Sequence, residues 1–227
     1  MTDAGDKPGF DPGSRRRLGV RDLPRFTDGT LMHRVARTLC RADCIPRKEL
    51  YESWEVARRA RRRFRGGRVV DLACGHGLVA HLLLLLDDSS PSAIAVDACL
   101  PPSAATVAGA MVAEWPRLAG RVELLERGLE DVALEPGDLV VSTHACGALT
   151  DRVIERARAA RARLVVLPCC HNAETCDAGG LEGWLDVALA IDVTRAARLR
   201  EGGWSVHTQH LPEAITPKNR LLLASPG

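Results

Sequence analysis

The chain has 227 residues, 46% of them apolar and only 4% aromatic, with a formal net charge of +2. That apolar share is enough for a real core and excludes disorder throughout, while so few aromatic rings argue against a broad base-stacking surface. No run of 18 apolar residues occurs, because Leu82 to Leu86 are bounded by His81 and Asp87, so no membrane span is expected.

The charge is unevenly spread. Residues 1–70 carry a net +9 and residues 71–227 a net −7. A basic front on an acidic body suggests an anionic partner such as nucleic acid, or else a solvated arginine-rich helix face. Met1 to Phe10 has no apolar segment of the kind that export signals carry, which points to a cytoplasmic protein. In that compartment the eight cysteines read as thiols or ligands, not disulfides.

Residues 1–28, with Gly, Pro and the triplet Arg15–Arg17 but no apolar period, read as a flexible tail. Residues 29–65 read as a basic helical extension. Its first helix spans Gly29 to Ala42. The second begins at Pro46, sets Leu50, Trp54, Ala57 and Phe64 on one stripe, and ends at Gly66-Gly67. Its remaining faces carry arginines from Arg58 to Arg68, and these are the expected RNA-docking surface and lid.

From residue 66 to 227 the pattern alternates. Short apolar runs at Arg68–Ala73, Ala93–Val96, Arg121–Leu125, Asp138–Ser142 and Arg163–Leu167 read as strands. Helical stretches lie between them at Leu78–Leu86, Ser103–Trp115, Ala148–Ala160 and Leu181–Arg200. Such alternation predicts an α/β, Rossmann-like fold with a mainly parallel sheet. Trp204–His210 and Arg220–Ser225 have no helix between them and predict an antiparallel pair at the sheet edge.

The sharpest local signal is the run Asp71-Leu72-Ala73-Cys74-Gly75-His76-Gly77, where an apolar strand ends in an acid and a glycine turn opens a helix. Gly75 and Gly77 allow a ligand to approach backbone that a Cβ would shield. Asp97 ends the second strand, where its carboxylate can accept two ribose hydroxyls. The phosphate-loop G-K-[ST] is absent, and Asp71 suits a cationic ligand better than a pyrophosphate.

The glycine loop, the Asp97 strand end and the terminal strand pair together resemble a class I S-adenosylmethionine-dependent methyltransferase. That resemblance implies S-adenosylmethionine as cofactor. It assigns binding to Asp71, Ala73, Gly75, Gly77, Asp97, Ala98, Leu129, Glu130 and His144. The segments His144-Ala145-Cys146-Gly147 and Cys169-Cys170-His171 resemble a narrower group, the tRNA acceptor-stem 2′-O-methyltransferases and related methyltransferase-like proteins. RNA is the acceptor that likeness suggests. A methyltransferase of protein side chains or small metabolites and a non-catalytic cofactor-binding module are the alternatives.

Three chemical readings of the Cys/His segments stand side by side. His144, Cys146, Cys169, Cys170, His171 and Cys176 could hold a metal, although on extended backbone the neighbours Cys169 and Cys170 would diverge. A cysteine could be a covalent nucleophile. The third reading is tight packing of small thiols beneath a polar rim, and no metal is assigned. His144 and His171 are the expected general bases, because imidazole changes charge near neutrality. Cys146, Cys169, Cys170, Lys218 and Arg220 are the expected acceptor-binding residues.

Overall fold

The computed structural model describes residues 10–227. Seven strands form one sheet: β1 (Val69–Leu72), β2 (Ala93–Asp97), β3 (Val122–Glu126), β4 (Leu139–Ser142), β5 (Arg163–Val166), β6 (Trp204–His210) and β7 (Arg220–Pro226). Their spatial order is β3-β2-β1-β4-β5-β7-β6. The first five run parallel, and β7 and β6 are antiparallel to their neighbours. Among the described residues two α-helices precede the sheet, α1 (Leu31–Ala42) and α2 (Arg47–Arg63), and four lie between strands: α3 (Leu78–Leu86), α4 (Ser103–Glu114), α5 (Ala148–Ala159) and α6 (Val187–Glu201). Among the described residues no helix is long and apolar enough to cross a membrane.

The two-residue period of the strands feeds two cores. Val69, Ala95, Val141 and Val165 pack with the α1–α4 side, while Val70, Val96, Val140 and Leu164 pack against α5 and α6. Both faces are covered, so the central strands read as unbroken apolar runs. Asp71 interrupts that pattern. It lies on the same face as Val69, toward α2 and α3, and is 1% exposed. Strand order reverses between β1 and β4, which opens a crevice at their carboxyl ends.

Three expectations change. The first concerns the tail: residues 1–9 lie outside the described residues, but Phe10 to Asp28 are packed. Leu18 and Phe26 are buried, the short 3-10 turn Val20–Arg25 follows Leu18, and buried Asp22 pairs with Arg47 of α2 at 2.8 Å. Apolar anchors spaced too widely for a periodic signal tie this segment down.

The second is α6, which begins at Val187 instead of Leu181. Asp186 caps it by accepting from the amides of Ala188 and Leu189, and the glycines before it turn the chain.

The third concerns the arginine run. Arg61 is buried and donates to the Leu83 carbonyl at 3.0 Å and Ser90 Oγ at 2.7 Å, with Asp87 at 3.2 Å. Arg58 and Arg59 pair with Glu55, and Arg68 grips Asp138 with two hydrogen bonds. This end of α2 leads into the amino-terminal edge of β1, where Arg163 at the start of β5 donates to the carbonyls of Arg65 and Gly66. It therefore lies at the opposite edge of the sheet from the crevice, and α2 turns its other end, around Lys48, Glu49 and Glu52, toward the crevice.

Candidate active site

The β1–α3 connection departs from ordinary backbone at three of five residues. Ala73, Gly75 and Gly77 all have left-handed φ, of 54°, 55° and 68°. A Cβ on Gly77 would stand 3.0 Å from Leu124 Cδ2, and one on Gly75 would stand 3.2 Å from His144 Cδ2. The loop is thus pressed down on the sheet and against the β4 loop, with its backbone turned toward the crevice. Gly77 opens α3 without a capping side chain, leaving first-turn amides available to a carboxylate.

Asp97 fastens this loop to the end of β2. Its Oδ2 accepts from Gly75 N at 2.9 Å and its Oδ1 from Cys99 N at 3.2 Å. Ala73, Asp97, Ala98, Leu129 and Glu130 border one recess of about 170 Å³. Glu130 is also paired with Arg152 and Arg156. The structure thus gathers the nine residues expected at the cofactor into two adjoining groups, the glycine loop with His144 and the recess beyond Asp97.

Asp71 lies beneath the loop with both carboxylate oxygens buried and without a hydrogen-bond partner. Burial pushes its carboxyl up to about 8; the nearby Ala80 amide works against the rise, and the carboxylates of Asp97 and Glu49 add to it. An orphaned acid beside two more carboxylates is a site prepared for a cation. The ammonium and sulfonium groups of S-adenosylmethionine fit that charge, its carboxylate fits the first turn of α3, and its ribose fits Asp97.

A second cleft of about 820 Å³ adjoins the glycine loop. His144, Cys146, Cys169, Cys170 and Lys218 line it, together with Arg15, Lys48, Glu49, Glu52, Thr143 and Glu213. Thr143 sits beside His144 in the β4 loop; the others come from the amino-terminal segment, α2 and the β6–β7 connection, where no local pattern set these particular residues apart. Glu49 Oε1 lies 2.7 Å from His76 Nδ1 and ties α2 to the glycine loop.

His171 and Arg220 do not line this cleft. His171 Nε2 lies 2.8 Å from Asp192 Oδ1, and Arg220 Nε donates to Asp192 Oδ2 at 2.6 Å. Burial opposes the Asp192 charge, yet His171 and Arg220 hold its carboxyl below the usual range. Arg195 completes the network, donating to Asp192 at 3.2 Å and gripping Asp151 with two hydrogen bonds. The geometry therefore makes His171 and Arg220 braces between β7, α6 and the β5 loop, because a buried carboxylate needs hydrogen-bond partners close.

The three cleft cysteines come together: Cys146 Sγ is 2.9 Å from Cys169 Sγ, which is 3.8 Å from Cys170 Sγ. The expected divergence of Cys169 and Cys170 fails because the chain after Val166 is no longer extended strand. Burial, and then the neighbouring thiols, push the Cys169 thiol up, and burial raises Cys146 as well. Held protonated, neither is an activated nucleophile.

Residues 48–175, more than half of the chain, match the family described as a methyltransferase domain. No curated protein matches. Among solved structures, an O-methyltransferase family protein from Burkholderia thailandensis is similar at a TM-score of 0.52 and 19% identity, covering 94% of this chain and 65% of its own. The mitomycin 7-O-methyltransferase MmcR is similar at 0.51 and 17%, covering 90% of this chain and 60% of its own. The pyocyanin biosynthetic protein PhzM is similar at 0.51 and 18%, covering 93% and 62%. The chain thus spans less than two thirds of each of these three proteins, and at such identities the likeness establishes the Rossmann-like methyltransferase fold. The glycine loop, the Asp97 strand end and the matched domain lead to one conclusion: this chain belongs to the family of methyltransferase domains.

Proposed function

We propose that the enzyme methylates an oxygen or nitrogen atom of an acceptor seated in the 820 Å³ cleft, with His144 as general base. The observation that carries this reading is the position of the His144 ring. It touches the glycine loop at Gly75 and also lines the acceptor cleft, so one side chain borders both partners of the transfer. When bound, S-adenosylmethionine supplies an electrophilic methyl carbon on a sulfonium. The protein's own task is alignment and the exclusion of water. Asp71, Asp97 and the loop amides hold the donor, α2 and the β6–β7 connection wall the cleft, and His144 accepts the acceptor's proton.

An RNA acceptor is the second reading. It is favoured by Arg15, Lys48 and Lys218 on the cleft wall and by the likeness to the tRNA-methylating group. These residues, not the arginine run of α2, would meet the phosphates. Eight free thiols fit a reducing compartment, the cytoplasm.

The test has two stages. Calorimetry measures S-adenosylmethionine affinity, and a methyl-labelled transfer assay is run on total RNA, protein extract and small hydroxyl or amine compounds. His144→Ala should lower turnover by about 10²- to 10⁴-fold, well beyond any accompanying loss of donor affinity. Turnover unchanged by that substitution removes His144 as the base. Donor binding without transfer to any acceptor favours a non-catalytic binding module.

A further inference from the structure

Three thiols that methyl transfer does not use meet on the wall of the acceptor cleft. The Sγ atoms of Cys146, Cys169 and Cys170 all lie within 4.8 Å of one another, although 23 residues separate the first two. Cys146 and Cys170 are exposed and Cys169 is half-buried. Tight packing of small apolar groups therefore does not explain the cluster. We infer that these three cysteines form a binding site for a thiophilic divalent cation, of which zinc is the type, with three thiolate ligands and a fourth position open to the cleft.

The backbone is built to bring the thiols together. Gly147 has φ 57° and ψ −132°, a conformation that a residue with a Cβ rarely adopts. Its amide donates to the Cys170 carbonyl at 3.2 Å, clamping the β4 loop to the β5 loop. Thr150 Oγ1 holds the Ala145 carbonyl at 2.7 Å from the other side. Cys146 is thereby turned onto the Cys169-Cys170 pair.

The distances suit the ion. Ligands on a zinc tetrahedron with metal–sulfur bonds of about 2.3 Å stand about 3.8 Å apart. Cys169 and Cys170 already have that separation. Cys146 must swing outward by about 0.9 Å to reach it, and its side chain is exposed on that side. The electrostatics suit it as well. A dipositive ion offsets the mutual repulsion of three adjacent thiolates. The amino terminus of α5, two residues beyond Cys146, adds further positive potential. Three protein ligands with one open position is the coordination that reactive zinc sites use, whereas closed structural sites use four. Binding sends the three thiol protons to solvent, so affinity rises with pH.

The experiment uses the full chain, reduced and freed of metal, titrated with cobalt(II) and then zinc(II) against a chromogenic chelator. One ion per chain, thiolate-to-cobalt charge-transfer absorption that zinc bleaches, and proton release on binding are expected. Cys146→Ser, Cys169→Ser and Cys170→Ser should each weaken binding by about 100-fold, while Cys99→Ser, an exposed thiol elsewhere, leaves it unchanged. On the unaltered protein, zinc should slow iodoacetamide alkylation at these three positions in a peptide map. Alkylation equally fast with and without zinc, absence of the charge-transfer band, or single variants that keep full affinity would overturn the site. So would a reduced protein that binds no ion and merely joins Cys146 to Cys169 under mild oxidant.

Discussion

Replacing Asp71 by Asn tests the donor site through stability alone. The carboxyl is raised from 3.8 to about 8. Between those values the folded protein keeps a proton that the unfolded chain has released. Its contribution is complete below about 3.8 and is lost as pH rises toward 8, at about 1.4 kcal/mol per pH unit. From pH 5 to pH 7 the loss is about 2.7 kcal/mol. The amide of Asn has the same shape and no such dependence. With a urea slope of about 2 kcal/mol/M, the midpoint gap between the two proteins should change by about 1.3 M over that range. Urea unfolding at pH 5, 6 and 7, without donor, measures it. The cofactor then reports the converse. Pairing with its ammonium requires Asp71 ionised, so donor affinity should rise up to tenfold per pH unit toward 8 in the native protein. The Asn variant should show no such slope and bind about 100-fold more weakly at pH 8, the gap closing as pH falls. Parallel urea midpoints across the range would refute an orphaned, protonated Asp71, and the account of the cation site would fail with it.

The remaining predictions address single contacts. Asp97→Ala removes the acceptor for Gly75 N and the expected ribose partner, and calorimetry should show a loss of about 100-fold in donor affinity. Gly67→Ala places a Cβ against the Gly137 carbonyl and Arg163 at a φ of +79°, so thermal melts should show destabilisation of about 3 kcal/mol or failure to fold. Arg61→Met leaves buried Asp87 with only the exposed Arg65, at 3.8 Å, as its cation and should cost about 3 kcal/mol in urea. Arg62→Ala with Arg63→Ala, both exposed, should change stability by less than about 0.5 kcal/mol.

Most of the sheet was legible because its signals are local. Leu78–Leu86 is helical at the predicted bounds, and each predicted strand lies within a residue or two of its place. The Asp71 to Gly77 turn was legible too, since left-handed backbone leaves glycine as its mark. What stayed hidden depends on partners distant in sequence. Arg61 reads as one more solvated arginine until Asp87 and Ser90 close over it. His171 reads as a free imidazole until α6 brings Asp192 beside it. The thiol cluster was visible as two cysteine-bearing segments, but its convergence depends on one glycine conformation and one amide bond between loops. Phe10 to Asp28 carries no period because its anchors, Leu18 and Phe26, are single side chains docking on helices that come later in the chain.

That front segment has a bearing on how acceptor choice could diversify. Asp11, Gly13 and Arg15 face Glu213 to Lys218 across the mouth of the larger cleft, and Gly13 sits so close to the carbonyls of Ala214 and Ile215 that any larger residue would collide. The donor cradle is drawn from the middle of the chain, while the gateway is a seam between two peripheral strips. Exchanging either strip would re-tailor the clientele of the enzyme and leave its methyl supply intact.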